Sequence, residues 1–130
     1  VKVIAGSFPD GANLIQGAAQ GIATDPLYLD VRLPPQTALE VPIQDEQRAL
    51  VYLIAGGLRV ANRMIAPRQM AVLSPGEVIP LQAGAEGARA LVLAARPLNE
   101  PVAHYGPFVM NTHAEIKQAI NDYEMGRLAA

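Results

Sequence analysis

Leu27, Leu29, Val31 and Leu33 alternate with Tyr28, Asp30 and Arg32. A period of two places the aliphatic set on one face of a strand and the polar set on the other. Pro34-Pro35 stops the run, and Leu39, Val41 and Ile43 resume it against Ala38, Glu40 and Pro42. After a polar loop from Gln44 to Arg48, the run from Ala49 to Ala55 reads as a buried strand. Gly56-Gly57 predicts a tight turn, since glycine accepts positive φ. Short strands are then expected at 58–61, 64–65, 70–73, 78–83 and 88–95, with turns at Asn62-Arg63, Ser74-Pro75-Gly76 and 84–87. Met64 and Met70 are expected as core or strand-packing residues. Upstream, 1–5 is a strand candidate and 6–26 reads as a polar surface loop, with a weak helical turn in 14–22. Short strands spaced by turns, with no helix between them, predict an all-β sandwich or barrel.

The pattern changes after Asn99. Pro101 and Pro107 bracket an extended, non-helical connection. Thr112 and Glu115 are spaced as a capping box. Ile116, Ala119, Ile120 and Tyr123 then recur at steps of three and four, which places them on one helix face. Lys117, Gln118, Asn121 and Asp122 face away from it. Gly126 stands where a left-handed cap would end the helix, with Arg127 near its negative end. A helix over 113–125 is expected.

Composition adds two constraints. The formal net charge is −2, so no basic field invites nucleic acid. No run approaches the roughly 20 apolar residues of a membrane helix, and there is no cysteine to build a disulfide framework. A cytoplasmic location follows as the default expectation. Charged residues make up 17% of the chain and hydrophobic ones 51%, against about 25% charged in an ordinary soluble domain. This excess of apolar surface, together with a first residue that is Val1, predicts part of a larger protein or a chain that buries one face against a partner.

The strings LYLDVRLPP, ALVYLIAGGLRV and QMAVLSPGEVIPLQAGAEGARALVLAARPLNEP resemble a cupin, the double-stranded β-helix or jelly-roll barrel. The tail EPVAHYGPFVMNTHAEIKQAINDYEMGR, and GPFVMN at 106–111 above all, resembles the end of pirin family proteins. Those are bicupins, and this chain resembles their second cupin only, with a C-terminal α-helix. The resemblance implies a strand and loop over 1–26, the cupin barrel over 27–98 and the connection and helix over 99–130. For a whole pirin it implies iron held by three histidines and a glutamate in the N-terminal cupin. It further implies quercetin 2,3-dioxygenase activity in some members and transcriptional co-regulation in others.

That iron chemistry does not carry over to this half. Counted back from Gly56, the family's glutamate falls near Ala49 and its histidine pair within Ile43, Gln44, Asp45 and Glu46. The third histidine falls near Ile79 or Pro80, although Pro75 matches the family's proline. No catalytic or metal-binding residue is therefore expected here, and any iron is expected in the N-terminal cupin. His104 and His113 are nine residues apart in the sequence, too far for a shared helix face. Asp45, Glu46 and His104 remain weak ligand candidates, against the simpler reading of solvated loop residues. Arg59, Arg63 and Arg68 are weighed as an anion site against ordinary outer-face positions. No nucleophile elbow, Cys–His pair or phosphate loop is present.

The expected role is structural. Tyr105, Gly106, Pro107, Phe108, Val109, Met110 and Asn111, with Ile116, Ile120 and Tyr123, are expected to pack against an N-terminal cupin or a second copy of the chain. The competing reading is a free-standing cupin that binds a small molecule in its barrel.

Overall fold

The computed structural model describes residues 1–128, which divide into two compact units, Val1–Pro97 and the segment that follows from Leu98.

The first unit is built on two long strands, β6 (Arg48–Val60) and β9 (Val78–Ala95). They pair antiparallel along their length, with register breaks between Leu53 and Ala55 and between Gly56 and Leu58. The breaks bend both strands, and each half acquires different neighbours. Residues 48–56 of β6 and 88–95 of β9 are flanked by β8 (Met70–Val72) and β4 (Leu27–Leu33), with β1 (Lys2–Ala5) beyond β4. The other halves are flanked by β7 (Arg63–Ile65) and β5 (Ala38–Pro42). The result is two antiparallel sheets that share two strands.

The two glycine clusters are therefore not tight turns, as the sequence had predicted, but the corners of continuous strands. The reason is close backbone approach. Gly56 and Gly87 have φ of +80° and +75°. A Cβ at Gly56 would run into the Gly87 carbonyl oxygen, and one at Gly87 would lie 2.7 Å from the Leu33 carbonyl oxygen. A side chain at either place would hold the strands apart.

Between the sheets lies one aliphatic core. Leu29, Val31, Val51, Leu53 and Val92 face inward from the first sheet, and Val41, Leu58, Ile79 and Leu81 from the second. None of these is more than 1% exposed. Each such burial stabilises by about 1.5–3 kcal/mol relative to exposure. The alternation read from Leu27 to Leu33 holds, with Leu27, Leu29 and Val31 buried.

Three sequence expectations fail. The segment 6–26 is not all loop, because β2 (Ser7–Asp10) and β3 (Asn13–Gln16) form a hairpin. Gly11, at φ +59°, occupies the first position of its two-residue turn. Phe8 is buried and joins the core, and no helical turn forms over 14–22. The β6–β7 turn falls at Ala61-Asn62, one residue early, with Val60 opposite Arg63. Met64 and Met70 are more than half exposed, so they are not core residues.

The second unit is a hairpin followed by a helix. The connection between the prolines is not irregular: β10 (Ala103–Tyr105) pairs with β11 (Phe108–Met110) across Gly106-Pro107. The helix α1 spans His113–Glu124. Its capping box forms as expected: Glu115 N donates to Thr112 Oγ1 at 3.2 Å, and Thr112 N donates to Glu115 Oε2 at 2.7 Å. At the other end Gly126 N donates to Tyr123 O at 3.0 Å and Arg127 N to Asp122 O at 2.7 Å. With Gly126 at φ +68° this is a Schellman cap. Ile116 and Ala119 are buried and Ile120 is half-buried. Tyr123, expected on the same buried face, is 68% exposed. It meets Phe108 edge-on, with ring centroids 6.2 Å apart.

Candidate functional site

The positions at which a metal cupin would present its ligands are apolar or on the surface. Ala49 and Ile79 lie in the aliphatic core, 3% and 1% exposed. Asp45 and Glu46 stand exposed at the tip of the loop between β5 and β6. That loop is held by Gln47, the one buried polar side chain among the described residues. Gln47 Nε2 donates to Asp25 O at 2.7 Å, while Gln44 N donates to Gln47 Oε1 at 3.1 Å. Gln44 Nε2 also donates to Asp25 Oδ2 at 3.0 Å. The glutamine thus makes a turn whose two carboxylates project outward. His104 is exposed on β10 opposite Val109, and His113 is exposed at the start of α1. Among the described residues no three His, Cys, Asp or Glu side chains come together as a metal site. The side chains buried at these positions, Ala49 and Ile79, carry no donor atom, so they do not fit an iron ion.

What the barrel does present is a mouth. A cleft of about 770 Å³ opens between the β7 and β8 edges of the two sheets. Its lining includes Ile43, Val60, Ile65, Ala71, Leu73 and Ile79. Register fixes which side chains look inward, since directly paired residues share a face. Ile65 pairs with Leu58 and Arg63 with Val60, and both partners are core residues. Ala71 pairs likewise with Val51. Arg63 is the only charged residue of the lining. Arg59 and Arg68 are not part of it, so the three arginines weighed together in the sequence do not form one site.

The outer face of the first sheet is the second notable surface. Across the strands, Tyr28 pairs with Leu93, Leu93 with Leu50 and Leu50 with Val72. The neighbouring row runs Asp30, Leu91, Tyr52, Met70. An outer face would ordinarily be polar, yet one row is wholly apolar and Val72 is 76% exposed. A shallow depression of about 460 Å³ continues it past Tyr28 to Ile4, Ala19 and Ile22. Charged residues border this face, Lys2, Arg32 and Arg48 among them, and one pair is hydrogen-bonded. Arg89 donates to Asp30 through Nε at 3.2 Å and Nη2 at 2.8 Å, a two-pronged pair. The Arg89 hydrogen bond holds the Asp30 carboxyl below its ordinary value, aided by Arg89, Arg32 and Lys2 charge and opposed by burial. In the sequence this face shows only as apolar residues at 50, 91 and 93, within runs that also fit a strand buried on both sides.

Of the tail residues expected to pack, Tyr105 and Val109 are 66% and 60% exposed, while Phe108 and Met110 are half-buried. Asn111 Nδ2 donates to Glu100 Oε2 at 2.8 Å and to Pro101 O at 3.0 Å. That amide ties the end of the hairpin to the residues that precede it.

Two sheets that share two long bent strands, open at one end onto a cleft, define a cupin barrel. Residues 28–129 match the family model of the Pirin C-terminal cupin domain. The chain belongs to the pirin family, as its C-terminal cupin domain. A Pseudomonas aeruginosa relative, provisionally named a quercetin 2,3-dioxygenase, is 43% identical over 132 residues, covering 99% of this chain and 46% of its own length. Human pirin is 36% identical over 121 residues, covering 85% of this chain and 42% of itself. A solved quercetin 2,3-dioxygenase from Acinetobacter baumannii superposes with a TM-score of 0.83 at 35% identity, covering 98% of this chain and 43% of that one. The chain thus spans less than half the length of these relatives. No helix among the described residues is long and apolar enough to cross a membrane.

Proposed function

We propose that this chain is the metal-free half of a two-cupin protein and that it packs against an N-terminal, iron-binding cupin. The observation that carries this reading is the apolar outer row Tyr28, Leu93, Leu50 and Val72. Such a row costs free energy in water and stabilises a complex when a second surface removes it from solvent. A barrel filled by aliphatic side chains at the ligand positions supports the metal-free part of the reading. The relatives' greater length supports the presence of a further half. In this reading the chain supplies a rigid wall beside the iron, and the exposed Tyr105, Val109 and Tyr123 of the second unit are further packing residues. Iron and dioxygen chemistry, with a flavonol such as quercetin as substrate, belong to the whole protein.

The test is metal analysis after iron loading, on the intact gene product and on this chain alone. The reading expects about one iron per intact protein, none on the chain and no oxygen consumption by the chain with quercetin. Stoichiometric iron on these 130 residues would overturn it.

A further inference from the structure

We propose that the mouth of this barrel is a binding site for a monocarboxylate with an apolar body, the carboxylate held by Arg63 and the body seated on Ile65, Leu73 and Ile79. The argument begins from register. β7 is an edge strand whose alternate residues face the barrel, and Arg63 is one of them, paired with the buried Val60. It stands at the rim of a cleft whose floor is aliphatic. Its guanidinium forms no ion pair, since the salt bridges among the described residues belong to Arg89 and Arg127.

The remaining polar groups at the rim can donate to the same anion. Asn62, Gln69 and Ser74 line the cleft with it, and no carboxylate does. The Gln69 side-chain oxygen is already used, accepting from Ala66 N at 2.9 Å, which leaves its amide hydrogens to donate. A rim with a cation and free donors, and no acid, selects an anion. Arginine matches the two oxygens of a carboxylate with parallel hydrogen bonds. The floor then selects the rest of the ligand, because Ile65, Leu73 and Ile79 offer only apolar contact. A metal chelate, a sugar or a dicarboxylate would each bring polar groups that this floor leaves without partners. Cleft volume agrees, since about 770 Å³ lies within the usual range of small-molecule sites. The cleft shares Met70 and Val72 with the edge of the outer face, but Arg63, Ile65, Leu73 and Ile79 lie on its barrel side, and they do not depend on another cupin docking on the outer rows.

The test uses 1-naphthoate as probe and 1-naphthalenemethanol as its uncharged counterpart, titrated by calorimetry into the 130-residue chain and into the intact gene product. Amide shifts in the labelled chain locate the binding. The expected result is shifts at 63, 65, 73 and 79, with naphthoate bound more tightly than the alcohol. Arg63→Gln weakens naphthoate about ten-fold and leaves the alcohol unchanged, while Arg63→Lys keeps part of the preference. Equal affinity for the two probes, no effect of Arg63→Gln, or shifts confined to the outer sheet face would each overturn the proposal. So would no detectable naphthoate binding at millimolar concentration.

Discussion

Gly56 and Gly87 meet backbone to backbone at the corner where the two central strands bend, and the Gly87 carbonyl occupies the space a Gly56 side chain would need. Gly56→Ala therefore adds a clash to an unfavourable φ of +80°. The expected loss of stability is at least about 2 kcal/mol, read from urea unfolding. Gly76→Ala is the control: a Cβ there meets nothing within 4 Å, and the expected change is within about 0.5 kcal/mol. Equal effects at the two positions would remove the corner argument.

Asp30 contributes a pH-dependent share of stability. Its carboxyl, held below the ordinary 3.8 chiefly by the Arg89 hydrogen bond, favours the ionised form in the folded state. The folded pKa is depressed, so the contribution is complete above the unfolded value and is lost as the pH falls through the folded one. Asp30→Asn should therefore be less stable than the parent at pH 7, with the gap closing below pH 3.8. Because Arg89 is partly exposed, the gap should also narrow in high salt. A gap independent of both pH and salt would point to packing instead.

Thr112 isolates the contribution of the helix cap. Thr112→Ala removes the acceptor for Glu115 N and should cost about 1 kcal/mol, confined to the second unit. Hydrogen exchange should show faster amides in α1 and unchanged amides in β6 and β9.

The outer face offers a variant that separates folding from docking. Val72 is 76% exposed, so Val72→Glu should leave the melting of this chain nearly unchanged. In the intact gene product the same charge would be buried against a second half, and the expected cost there is about 2 kcal/mol or more. Differential scanning calorimetry of both proteins makes the comparison. Identical small effects in the two would place the contact elsewhere.

Sequence and structure agree wherever one local rule decides the conformation. The alternation from Leu27 to Leu33 needed only period two, and the helix needed only the Thr112–Glu115 spacing and Gly126. The glycine clusters at 56–57 and 84–87 are ambiguous in sequence because the same residue type that permits a tight turn also permits two backbones to touch. Only the long-range register of β6 with β9 tells these uses apart. The hairpin of Ser7–Asp10 with Asn13–Gln16 is hidden in the sequence for a related reason. Pro9 and a polar surrounding masked a turn that Gly11 marks and Phe8 anchors. At the barrel, Arg63 as an inward-facing rim residue was not legible, since its direction follows from pairing with Val60 and from nothing in its neighbours.

Because β6 and β9 are members of both sheets, neither sheet has a boundary along which it could peel away from the other. Opening either one requires breaking the ladder that holds its counterpart. Loss of structure in the first unit should be all-or-none, and its folding slow, since most of that ladder joins residues far apart in the chain. A fold of this kind has no half-open form to offer, which suits a part whose use lies in keeping its shape.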